Sequence, residues 1–104
     1  MKIEDRYNII IQTICEMNGI SKEELFKILK DTNCKYMLFL LLKKYHCENI
    51  QRFNKDFKIK NRNVIGYETK KAKEKFLINK YFRDLYFEAD DIIEQTLNEN
   101  KKSM

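Results

Sequence analysis

Apolar residues recur along this chain at three- and four-residue spacing almost from end to end, the period of α-helices packed on one side. Ile10, Ile14 and Met17 follow that spacing, and Ile11 widens the stripe, which predicts a first helix over about 4–18. Gly19 stands where a helix commonly stops in the left-handed conformation. Ser21 with Glu24 three positions on has the capping-box pattern and opens a short helix over about 22–30, with Leu25, Ile28 and Leu29 facing inward. Asp31-Thr32-Asn33 breaks that helix and caps a third, over about 34–46. The third is apolar on nearly every side through residues 37–42, and a helix without a wet face belongs at the centre.

Beyond it the pattern predicts a short helix over about 48–56, with Ile50, Phe53 and Phe57 on one stripe. A tight turn at Lys58-Ile59-Lys60 leads to a fifth helix over about 61–76 and a sixth over about 79–98. The sixth carries Phe82, Leu85, Ala89, Ile92 and Thr96 at core spacing, and the tail from Asn100 is expected to fray. No run alternates with period two for long, there is no proline, and glycines number two. Length and pattern together predict an all-α, six-helix single domain of 104 residues.

Composition narrows the picture further. The apolar run YMLFLLL, residues 36–42, is far short of the ~20 residues that span a bilayer. The opening MKIEDRYN has acids where a secretion signal needs a basic start and an apolar stretch. The expectation is therefore a soluble, cytoplasmic protein that does not enter a membrane. Cys15, Cys34 and Cys47 are odd in number and lack a Cys-x-x-Cys pair, so they read as small apolar residues with free thiols.

Lys, Asn and Ile make up more than a third of the chain, a usage that dilutes the meaning of overall basicity. The distribution says more. Residues 55–83 hold ten Lys/Arg against three Asp/Glu, whereas the other 75 hold eleven against thirteen. An excess gathered in one contiguous stretch favours a polyanionic partner. Helices four and five, joined by a short turn, have the dimensions of a helix-turn-helix spanning 48–76, whose second helix would enter a major groove. On the fifth helix Ile65, Thr69, Ala72 and Phe76 share the inward side. Asn63, Gly66, Tyr67, Lys70, Lys71 and Glu74 then face outward, with Arg62 and Lys73 on one flank. Asparagine suits adenine and arginine suits guanine; lysines further along suit phosphates. Double-stranded DNA is thus the expected partner. Asn61, Arg62 and Asn63 are expected at the bases, Lys58 and Lys60 at phosphates, and Tyr67, Lys70 and Lys71 along the groove. Arg52 or Lys55 of helix four would touch the backbone. Gly66 costs about 1 kcal/mol relative to alanine inside a helix, which calls for a compensating close approach by a neighbouring helix or a phosphate.

Residues 8–97 resemble the C-terminal DNA-binding domain of the bacterial replication initiator DnaA, a Trp-repressor-like helical fold. IIQTICEMNGISKEELF is similar to that domain's first two helices, and ENIQRFNKDF to the first element of its helix-turn-helix. Lys60-Asn61-Arg62-Asn63-Val64-Ile65 stands where the family has Arg-Asp-His, two hydroxyl residues and Val, and ETKKAKEKF continues as the recognition helix does. The resemblance implies a stand-alone relative of the reading head, a small regulator of transcription or replication in a bacterium or its mobile elements. Asn61 replaces an acid suited to cytosine, so the family's target sequence is not implied. The family's basic minor-groove loop is replaced by the milder Lys30-Asp-Thr-Asn-Cys-Lys35. No Gly-rich phosphate loop is present, so no nucleotide and no ATPase activity are expected.

Other chemistry finds little support. His46 and Cys47 are neighbours, but adjacent helical side chains point ~100° apart and cannot share a proton. No catalytic residue, metal or cofactor is expected. Asp90, Asp91, Glu94 and Glu99 have spacings suited to solvent or lysine partners. Phe82 belongs to the core stripe of the sixth helix and Phe87 lies off it, with the core expected to wrap wide enough to cover it. If Phe87 is instead exposed, a rival function follows: a helical adaptor or homodimer that binds protein through its C-terminal helix, with vestigial DNA affinity.

Overall fold

A computed structural model describes residues 5–27, 32–47, 50–58 and 61–102. They form six α-helices: α1 (Arg6–Asn18), α2 (Lys22–Lys27), α3 (Thr32–Lys44), α4 (Ile50–Phe57), α5 (Arg62–Ile78) and α6 (Lys80–Lys102). No strand occurs among the described residues. The protein is all-α, and no described helix is long and apolar enough to cross a membrane.

The helix ends are set by local chemistry. Asp5 caps α1 by accepting a hydrogen bond from the Asn8 backbone N–H at 3.3 Å. Gly19 ends α1 at φ 63°, and the N–H groups of Gly19 and Ile20 return to the carbonyls of Glu16 and Cys15. This is a Schellman stop, in the conformation glycine adopts without steric cost. The box at α2 closes in both directions: the Glu24 N–H donates to Ser21 Oγ at 3.1 Å, and the Ser21 N–H donates to Glu24 Oε1 at 2.9 Å. Leu25 is fully buried, while Ile28, Leu29 and the expected Asp31 cap lie outside the described residues.

Helix α3 is the central rod. Met37 through Leu42 are all buried, and the helix packs against α1, α5 and α6. It stops at Lys44, two residues before the expected end, because His46 adopts φ 56° and the Cys47 N–H returns to the Leu42 carbonyl at 3.0 Å. On α4, Phe57 is buried and meets the Phe26 ring edge-on at 4.8 Å; the side chains of Ile50 and Phe53 are not among those described.

Helices α5 and α6 run two and four residues past their expected ends and meet at Asn79. That residue returns its N–H to the Lys75 carbonyl and accepts the Phe82 N–H at 2.9 Å, closing one helix while opening the next. Arg83 donates to the carbonyls of Phe76 and Leu77, the orphan acceptors at the end of α5. The inward face of α6 is rotated from the expected one. Phe82, Ala89 and Ile93 are fully buried, whereas Ile92 is 36% exposed. The inward stripe Phe82, Tyr86, Ala89, Ile93 and Leu97 keeps its own helical spacing, and it places Asp90, 8% exposed, at the end of α3, where the Tyr45 hydroxyl and the Lys44 ammonium bind it. Burial, and then the Asp90 carboxylate, push the Tyr45 hydroxyl to a higher pKa.

Candidate nucleic-acid interface

Helix α5 is anchored by its inward stripe. Ile65, Thr69 and Ala72 are buried, Phe76 is half-buried, and the helix lies along α3. The Thr69 hydroxyl, which would be costly to bury unpaired, donates to the Ile65 carbonyl at 2.7 Å. With this stripe fixed, a step of 100° per residue sends Asn63, Gly66, Tyr67, Lys70, Lys71 and Glu74 into solvent, and each is exposed. Tyr67 is 57% exposed, and Lys71 Nζ sits 4.6 Å above its ring. A hydrogen bond that the Lys71 ammonium donates to the Tyr67 hydroxyl raises the Lys71 pKa further, so this cation holds its proton firmly.

At the start of α5, Asn61 is the N-cap: its Oδ1 accepts the Asn63 N–H at 2.7 Å, with the backbone extended at φ −128°. The oxygen that a base would use is thus already engaged in holding the helix end. Arg62 and Asn63 are exposed beside it. Lys58 is exposed at the end of α4 with φ 59°, Lys55 is exposed one turn earlier, and Lys60 lies outside the described residues.

Arg52 has a different position from the one expected. Its guanidinium grips Asp5 at 2.9 and 3.1 Å, donates to Asn8 Oδ1 at 3.0 Å, and stacks 3.8 Å over the Tyr7 ring. Tyr7 in turn donates its hydroxyl to Asp56 at 2.9 Å. Helix α4 is therefore strapped to α1 and packed on α2, and Arg52 is committed to that strap. Lys55 on α4 and Lys58 just past its end face solvent.

The structure also brings together residues that the α5 wheel alone does not group. A groove of about 320 Å³ runs between the end of α3 and one flank of α5. Ile65, Gly66 and Thr69 form its floor, and Lys43, Arg62, Lys70 and Lys73 line it, with no acidic residue among them. The one acid between positions 57 and 73, Glu68, points to the other flank, where Lys35 Nζ stands 3.2 Å from its carboxylate. Lys43 is not legible from the α5 wheel because it belongs to another helix. Its only sequence signal is a polar position at the end of an otherwise apolar rod.

A second surface lies where α5 turns into α6. Leu77, Ile78 and Tyr81 are 73%, 85% and 69% exposed. Phe87 is 50% exposed, although its ring meets Phe76 and Tyr86 edge-on at 5.5 and 5.7 Å. The core does not wrap far enough to cover it, because the rotated α6 face turns Tyr86 inward in its place.

Cys15 and Cys34 are buried and Cys47 is half-buried, all three as free thiols. His46 is exposed beyond the end of α3. No group of three or more His, Cys, Asp or Glu side chains with metal-binding geometry occurs among the described residues. Compared with protein families, with curated proteins and with solved structures, the chain matches none.

Proposed function

We propose that this is a non-enzymatic double-stranded DNA-binding protein that presents α5 to the major groove, with α4, the following turn and α5 acting as its helix-turn-helix. In this reading it is a stand-alone relative of the DnaA C-terminal domain and a small regulator of transcription or replication. The observation that carries the proposal is the outward face of α5. Asn63, Tyr67, Lys70 and Lys71 are all exposed, Glu68 is turned to Lys35, Glu74 is the one acid that shares the face, and α6 does not cover them. Asn63 is the base reader, and Arg62 turns to the groove that Lys43, Lys70 and Lys73 line. Lys58, Lys70 and Lys71 serve as phosphate contacts, while Asn61 holds the helix start in place.

Binding of the full chain to random duplex DNA across a salt series tests this. The affinity is expected to fall steeply with salt, and Lys70→Ala and Lys71→Ala should each cut the log–log slope by about one. A flat salt response, or slopes that ignore both lysines, would reject the reading. The exposed Leu77, Ile78, Tyr81 and Phe87 favour a second one, an adaptor that binds protein through the α5–α6 corner. Under it, a concentration-dependent protein complex replaces the DNA signal.

A further inference from the structure

Nothing among the described residues requires glycine at position 66. Gly66 lies inside α5, where glycine is less favourable than alanine, and its φ is not positive. Among the described residues, a Cβ built at this position meets nothing within 4 Å, so no described helix requires the space. Of the two compensations anticipated from the sequence, close packing against another helix is thereby removed. The other is approach of a ligand from outside, and the position of Gly66 bears on it directly. It forms part of the floor of the groove whose rim is Lys43, Arg62, Lys70 and Lys73.

These cations come from two helices, and none has an acidic partner among the described residues. Arg62, Gly66, Lys70 and Lys73 follow one another at three- and four-residue steps, so the flank extends along the helix for roughly 16 Å at 1.5 Å per residue. A row of that length suits successive charges on a strand better than a single ion.

We infer that this groove is the seat for the phosphates of one nucleic-acid strand. Gly66 clears the helix surface so that a phosphate can come close, and Lys43 closes the seat from the side of α3. The inference deepens the DNA-binding reading and rests on it for the source of the phosphates.

The experiment compares wild type, Gly66→Ala, Gly66→Leu and Lys43→Ala by thermal unfolding and by fluorescence anisotropy. Probes are a random duplex and inorganic polyphosphate, each at low and moderate salt. Gly66→Ala is expected to raise the melting temperature by about 4–6 °C, because alanine is the better helix former. The same change should weaken duplex binding by roughly tenfold, the loss of one charge-assisted contact, and Gly66→Leu should weaken it more. Lys43→Ala should cut the salt slope by about one without changing the melting temperature. If wild type binds duplex and all three variants match it, the seat is rejected while the DNA-binding reading stands. If wild type ignores duplex but binds polyphosphate, and the Gly66 variants lose that binding, the seat stands and the DNA-binding reading falls. Binding to neither probe rejects both.

Discussion

His46 and Lys58 are non-glycine residues in the left-handed region, at φ 56° and 59°, each just past the end of a helix. For L-residues that conformation costs roughly 1–2 kcal/mol, because Cβ crowds the following carbonyl. His46→Gly is therefore expected to stabilise the fold by up to about 1 kcal/mol, less than the full amount because glycine is freer in the unfolded chain. A thermal melt checks it, and a lower melting temperature would mean that the imidazole makes a contact outweighing the strain. Gly19 fills the equivalent position at the end of α1 and was recognisable in the sequence, as was the Ser21–Glu24 box. Both are chemistry between near neighbours, which a one-dimensional pattern preserves. His46 could not be read this way, since the apolar stripe of α3 continues to Tyr45 and gives no sign of a stop. Arg52 was unreadable for the opposite reason. Its partner Asp5 is 47 positions away, so a strap residue and a phosphate contact look identical in sequence.

Between elements, that strap decides what α4 can do. Arg52 and Asp56 tie it to Asp5, Asn8 and Tyr7 of the α1 end, and Phe57 ties it to α2. Removing the guanidinium leaves Asp5 and Asn8 without it and uncovers the Tyr7 ring. Arg52→Ala is thus expected to cost on the order of 1 kcal/mol, the pair being partly exposed and screened. It should leave the salt slope of duplex binding unchanged. A drop of one unit would return Arg52 to the interface. The Asp5 carboxyl adds a pH signature. Partial burial raises its pKa, but the Arg52 hydrogen bond and the helix N-terminus outweigh that and hold it below the ordinary aspartate value. Its folded pKa being depressed, its contribution is present above about pH 4 and is lost as pH falls through the folded value. Asp5→Asn should therefore flatten the acid limb of the stability curve below about pH 4, by less than 1 kcal/mol. The existence of all six helices was legible, because each buries a periodic stripe. The roll of α6 was not. Two overlapping apolar stripes share Phe82 and Ala89, the buried one continues through Ile93, and Asp90 beside it reads as solvent-facing until Tyr45 and Lys44 are known to lie opposite.

At the scale of the molecule, charge is divided along the chain. Residues 55–83 carry the basic excess, while residues 84–99 hold six acids and no Lys or Arg. Counting alone revealed this division; that Lys43 joins the basic side required α3 and α5 to be seen packed together. Under the proposed function, a molecule polarised in this way would approach a duplex with α5 leading and the acidic stretch of α6 trailing. Glu88 and Asp91 are exposed and lie outside the groove, so they act on a duplex only through the long-range field. Neutralising them in the double variant Glu88→Gln, Asp91→Asn removes repulsion without removing a contact. Such a field reaches about 30 Å at 0.01 M salt and about 8 Å at 0.15 M. The double variant is therefore expected to bind duplex DNA faster and up to a few-fold tighter at low salt, and to match wild type near physiological salt. Stopped-flow association at the two ionic strengths measures it. A gain that persists at high salt would mean that α6 lies against the duplex, and a loss would mean that its acids make contacts of their own. Either result would move the interface from the α5 face to the α5–α6 corner, where Leu77, Ile78 and Tyr81 are exposed. Agreement at high salt with a gain at low salt keeps the duplex on the far side of α5, where Tyr67 and Lys70 stand.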